Sequence, residues 1–284
     1  MRLVDSHCHL QADAFAPDLE PVLDAAIAAG VERILVPGWD LASSRGALEL
    51  VERHAWLDAA VGVHPHAAAD TTEGDWAAVV ALARHRRVVA LGETGLDLDR
   101  RFSPLDDQLA NLRRHLRLGL ETGTPVILHC RSAPGSREAQ DLLLAELRAA
   151  GYGGAASAAA FGARPPAVLH SFSGPLDYGR AALDLGLAIA IGGLAFRAGE
   201  EPTAEVAPLV PGERLLLETD SPWLAPPGAP RRRNAPEWVR VVAAWLAERR
   251  GTTPAELGDA VVAAYDATFR RSVPRPGAGR GVPA

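Results

Sequence analysis

Short runs of apolar and β-branched residues alternate along the chain with longer stretches whose apolar positions recur every three or four residues. The runs at 2–6, 32–36, 58–63, 88–93, 125–129, 168–171, 188–192 and 214–219 read as eight strands. The amphipathic stretches at 17–29, 41–54, 75–85, 104–121, 136–149, 176–185, 203–210, 236–249 and 254–270 read as helices. A strand that leads through a helix to the next strand is a βαβ unit, which sets its strands parallel. Eight such units in 284 residues predict a TIM (β/α)8 barrel, one domain over residues 1–270. The competing architecture, an open doubly wound sheet, usually follows its first strand with a glycine-rich phosphate loop. The first run here ends instead in "SHCHL", without glycine.

Two segments break the alternation. "GYGGAASAAAFGARPP", 151–166, reads as a Gly/Ala-rich linker between a helix and the next strand, on the barrel's bottom face and without chemistry. "RSVPRPGAGRGVPA", 271–284, reads as a disordered Pro/Gly/Arg tail.

Polar residues interrupt the apolar runs at corresponding places. In "VDSHCHL" a strand would point His7 and His9 to one side, with Asp5 deeper on that same face. "GVHPH" sets His64 just past the third run, and "LGETGLD" sets Glu93 at the end of the fourth. "VILHCR" ends the fifth in His129, "VLHSFSG" the sixth in His170, and "LLLETDSP" carries Glu218 and Asp220 at the end of the eighth. All lie at C-terminal strand ends, the barrel face where functional groups from different strands meet. Neutral imidazole and carboxylate suit Zn, Mn, Fe and related divalent ions. His7, His9, Glu93, His129, His170 and Asp220 are more ligands than one open catalytic ion takes, so two ions with Glu93 as the shared carboxylate are expected. Asp5 and Glu218, one pleat deeper, are expected to orient ligands, and His64 to face substrate. His54, His85 and His115 fall on helices and are expected at the surface.

Composition narrows the chemistry. The 29 basic residues are all arginine, which excludes Schiff-base and pyridoxal chemistry, since both need a lysine amine. A net charge of −6 argues against coating nucleic acid non-specifically, although "RRR" at 231–233 is a local basic patch. No apolar run is long enough to span a bilayer and no signal-peptide pattern opens the chain, so a soluble cytoplasmic protein, without membrane contact and monomeric, is expected. Cys8 and Cys130 alternate with the histidines and are expected to be small core residues.

The blocks "VDSHCHL", "GVHPH", "ALGETGLD", "PVILHCR", "VLHSFSG", "LLLETDSPWLAP" and "RRRNAP", in this order from Leu3 to about Arg270, resemble the TatD family of metal-dependent hydrolases. The resemblance implies an amidohydrolase-like TIM barrel and a deoxyribonuclease of 3′-to-5′ exonuclease type supported by Mg²⁺ or Mn²⁺. Carried over, it implies one ion on His7, His9, Glu93 and Asp220 and a second on Glu93, His129 and His170. Barrel hydrolases of the wider amidohydrolase kind often bridge their ions with a carbamylated lysine, and a chain without lysine leaves that task to glutamate. Ser132 departs from the pattern, standing where the family usually has an acid.

Phosphodiester hydrolysis of DNA, at strand ends or on single strands, is the leading expectation. Asp220 would accept a proton, and Arg131, Arg197 and the arginines at 231–233 would hold phosphate. The alternative is an amidohydrolase or esterase, or an aminoacyl-tRNA deacylase, polarising a carbonyl with the same ligands. A basic rim at the mouth favours the first, a closed apolar pocket the second.

Overall fold

The computed structural model describes residues 1–230 and 232–269. Eight strands are assigned: β1 (Leu3–Asp5), β2 (Val31–Pro37), β3 (Leu57–Val61), β4 (Val88–Asp97), β5 (Val126–Arg131), β6 (Ala167–Leu169), β7 (Ala188–Ile191) and β8 (Leu215–Leu217). Each pairs in parallel with the next in chain order. The ring closes just beyond the first and last strands, where Ser6 N–H donates to Leu217 O at 2.9 Å and Asp220 N–H to His7 O at 2.9 Å. The expected eight-stranded TIM barrel is therefore the fold.

Helices cover the outside: α1 (Leu19–Ala28), α2 (Leu41–Arg53), α3 (Glu73–Leu82), α4 (Leu105–Thr122), α5 (Glu138–Ala150), α6 (Ala155–Phe161), α7 (Leu176–Asp184), α8 (Glu201–Val206), α9 (Val239–Arg250) and α10 (Pro254–Phe269). Strands buried on both faces read as continuous apolar runs because the barrel interior and the helix layer each take one face. Val4, Ile34, Leu57, Leu91, Val126, Ile189 and Leu216 accordingly belong to one contiguous core. No helix among the described residues is long and apolar enough to cross a membrane.

Three expectations need correction. The fourth strand does not stop at Glu93: it continues to Asp97, with Thr94–Asp97 paired to Leu128–Arg131 of β5. Gly95 makes this possible. At φ +142°, a Cβ there would sit 1.9 Å from His129 O, so only glycine lets the two backbones approach so closely. The 151–166 segment is not a mere linker, because its alanines form α6, packed on α4 with Phe161 buried. His115 is not at the surface: it is fully buried on α4, where its Nε2 accepts the Val63 N–H at 3.2 Å. The proposed tail, 271–284, lies outside the described residues.

Candidate metal centre

Asp5 ties together the two chain segments that carry the first candidate ligands. Its carboxylate accepts the His7 N–H at 3.2 Å, the Thr219 N–H at 2.9 Å and the Thr219 hydroxyl at 2.6 Å. It thus orients His7 through the backbone rather than through the ring. Burial pushes the Asp5 carboxyl up to about 8, against the pull of those hydrogen bonds. Beyond Thr219 the chain turns through Asp220 at φ +53°, a left-handed conformation that aspartate tolerates better than most residues and that aims its carboxylate into the mouth.

Four donor atoms meet there. His7 Nε2 and His9 Nε2 are 3.1 Å apart. Glu93 Oε2 lies 3.2 Å from the first and 3.7 Å from the second, and Asp220 Oδ1 lies 3.9 and 3.5 Å from them. Ligands held ~2.1 Å from a tetrahedral ion stand about 3.4 Å from one another, so this set has the spacing of a cation site.

The other oxygen of Glu93 heads a second group. Glu93 Oε1 is 3.0 Å from His129 Nδ1, 3.5 Å from His64 Nε2 and 3.6 Å from His170 Nε2. His64, expected to face substrate, therefore lies among the candidate donors, in a group with Glu93 and His129. His170 stacks on His7 with ring centroids 3.5 Å apart and forms another candidate group with His7 and Asp220. The six expected ligands all converge on this mouth, and Glu93 is the residue that faces both sides of it.

Around these donors a second layer of contacts aims the rings. Glu218, fully buried, places Oε1 3.0 Å from His170 Nδ1 and accepts the Ser171 N–H at 2.6 Å. Asp97 was not singled out from the sequence. Its Oδ2 is 3.1 Å from His129 Nε2 and 2.8 Å from His66 Nε2, while its Oδ1 accepts the N–H groups of Asp99 and Arg100. A strand of period 2 puts residues 93, 95 and 97 on one face, and this was the signal available once β4 is read past Glu93.

The electrostatics favour cation binding. Burial alone would raise the carboxyls, yet the surrounding imidazoles hold Glu93 well below its usual range, and His129 and His66 hold Asp97 below its own. Burial, with His170 against it, lowers His7 and keeps it neutral, the form in which an imidazole nitrogen can ligate. Two fully buried ring nitrogens, His7 Nδ1 and His9 Nδ1, have no hydrogen-bond partner. Sites of this kind take a divalent ion, and the residues present fit one.

The mouth opens to a cavity of about 1370 Å³ whose wall includes Arg100, Arg131, Arg197, Arg232, Trp39 and Trp223. Arg131 reaches Asp97 at 3.8 Å. Arg233, expected to hold phosphate, is instead clamped on Asp18 by two bonds of 2.6 and 2.7 Å, which take up its guanidinium. Arg231 lies outside the described residues. Ser132 caps the approach to α5 by accepting the Ala139 N–H at 2.9 Å. Cys8 is buried as expected, whereas Cys130 is only partly buried and borders the cavity instead of sitting in the core; desolvation pushes its thiol up to about 12, so neither offers a ready thiolate.

Comparison with known proteins agrees with this geometry. The family model of TatD related DNase matches residues 4–270. The uncharacterized metal-dependent hydrolase YabD of Bacillus subtilis is 36% identical over 256 residues, covering 90% of this chain and 94% of its own. The 3′-5′ ssDNA/RNA exonuclease TatD of Citrobacter koseri is 36% identical over 258 residues, covering 89% and 93%. Among solved structures, the TatD homologue YJJV of Escherichia coli superposes with a TM-score of 0.81 at 30% identity, over 94% of this chain and 98% of that one. A match across nearly the whole barrel, and two relatives above one-third identity, place this chain in the TatD family of metal-dependent hydrolases.

Proposed function

We propose that the protein is a divalent-metal-dependent nuclease that removes nucleotides from single-stranded DNA at 3′ ends, using two ions that share Glu93. The observation that carries this reading is the division of Glu93: Oε2 faces His7, His9 and Asp220, while Oε1 faces His129, His170 and His64. His7, His9, Glu93 and Asp220 would hold one ion, and Glu93, His129 and His170 the other, with His64 against the same oxygen. A divalent ion such as Mg²⁺, Mn²⁺ or Zn²⁺ held by these residues would supply Lewis acidity that makes water a nucleophile near neutral pH and would offset charge on the phosphate.

The chain's own groups do the rest. Asp220, whose side chain is 14% exposed at the mouth, accepts the proton released as water attacks phosphorus and the P–O3′ bond breaks, and that proton passes on to the departing 3′ oxygen of the shortened strand. Asp97 and Glu218 keep His129 and His170 in place, so the site needs no rearrangement as the reaction proceeds. Arg131 and Arg197 border the cavity, where a guanidinium can pair two phosphate oxygens at once. The arginines on the wall favour a phosphodiester over a small uncharged carbonyl substrate. The relatives named as exonucleases of single-stranded DNA and RNA support the same choice.

Purified protein should shorten single-stranded DNA in Mg²⁺ or Mn²⁺, lose that activity to chelator and regain it with metal. Glu93→Ala and His129→Ala should each lower the rate at least about 1000-fold with the fold intact by circular dichroism. Full activity in Glu93→Ala would remove the bridging role. DNA left intact, with ester or amide substrates cleaved, would establish the carbonyl alternative.

A further inference from the structure

Each side of Glu93 borders a different aromatic surface. On the Oε2 side, His9 meets Trp39 and Trp223 edge-on, at centroid distances of 5.2 and 5.0 Å. On the Oε1 side, His64 meets His66 at 4.2 Å, and His66 meets Phe102 at 4.7 Å. Trp223 is 52% exposed and Phe102 67% exposed. Large apolar rings left in water forgo the free energy of burial. Among the described residues, the two large aromatic side chains left exposed both stand on this one mouth.

The same cavity wall carries Arg100, Arg131, Arg197 and Arg232. Aromatic faces and guanidinium groups on one wall are the surface that single-stranded nucleic acid requires, since every base has a π-face and every linkage a negative charge. The protein's net charge of −6 means that a general positive field cannot supply the affinity, so short-range contacts must.

We propose that Trp223 and Phe102 are base-stacking platforms, one on each side of the metal centre, that hold the nucleotides flanking the scissile phosphodiester of a single strand. A paired duplex keeps its base faces stacked inside the helix and has none to offer either ring. The platforms therefore select for unpaired strands without reading sequence. This inference rests on the nuclease reading above, and its test separates the two.

KM is measured in Mn²⁺ for an octathymidylate strand and for an eight-residue strand with the same phosphodiesters but abasic sugars. Wild type should favour the base-bearing strand. Trp223→Ala and Phe102→Ala should each raise KM for that strand about 5- to 100-fold and collapse its advantage over the abasic one. Trp223→Phe and Phe102→Tyr, which keep a ring, should retain the advantage. Alanine variants that keep the wild-type preference overturn the platforms, as does a parallel rise in KM on both strands, which would mark a structural effect. Wild type that cleaves both strands with equal KM overturns the platforms alone. Wild type that cleaves neither fails the nuclease reading, and the platforms with it.

Discussion

Asp97 contacts two imidazoles with one oxygen, and so governs how His129 is presented to Glu93. His129 can direct Nδ1 to the Glu93 side only while Nε2 is held on the other, and a carboxylate holds it more firmly than a neutral amide. Asp97→Asn should therefore lower kcat about 10- to 100-fold and raise the metal concentration needed for half-maximal rate, with KM for DNA changed far less. A titration of rate against Mn²⁺ for the two proteins checks this, and a variant with wild-type metal dependence would show that Asp97 does not act through His129. At this scale the candidate ligands were legible, because histidines and acids at apolar strand ends stand out against their surroundings. Asp97 was not, although it lies inside "LGETGLD", since Gly95 makes the apolar run appear to end at Glu93, four residues before Asp97.

At the scale of elements, β4 and α4 position the middle of the site. Asn111 on α4 donates to Val63 O at 2.7 Å and to Thr94 Oγ1 at 3.1 Å, and His115 one turn later accepts the Val63 N–H while its other nitrogen lies 2.8 Å from Asn111 O. The helix thereby pins the segment that leads into His64. Burial lowers His115 from its ordinary 6.5 to about 3, because a charged ring there would be desolvated. Below pH 6.5 the unfolded chain takes up a proton that the folded protein refuses, so this group's contribution to stability is complete above 6.5 and declines as pH falls toward 3. Between pH 7 and pH 5 wild type should lose about 2 kcal/mol more unfolding free energy than His115→Gln. Urea unfolding at the two pH values measures the difference, and equal losses would mean that His115 stays accessible to protons. Helical periodicity marked 104–121 as a helix, but its apolar stripe could not show that a histidine beside the stripe is covered by the loop after β3. The alanines of α6 were likewise read as a linker, because the flanking glycines masked a short helix that gains its stability by packing on α4.

Across the whole molecule, metal affinity and folding are linked. The candidate donors come from β4 and β5 and from the turns after β1, β3, β6 and β8, so they meet only when the barrel is closed. An ion that binds the native state and not the unfolded chain stabilises it by about 2.7 kcal/mol at 100 times its Kd. For a chain of this length that is a rise in Tm of about 4–5 °C. Mn²⁺ added to metal-stripped protein should raise Tm by that amount, and Glu93→Gln should lose most of the rise. A rise of full size in the variant would place the ions elsewhere.

The sequence by itself determined the barrel, because eight apolar runs spaced by amphipathic helices leave little other way to bury both faces of a parallel sheet. It also determined the metal-binding chemistry, because residue type at a strand end is a local property. The tertiary structure alone decided which oxygen of Glu93 faces which ligands, that His64 lies among the donors, and that Arg233 is held by Asp18. It also brought Trp223 and Phe102, 121 positions apart in the chain, to one mouth. These are relations of a few ångströms between distant segments, fixed by closure of the barrel rather than by any local pattern.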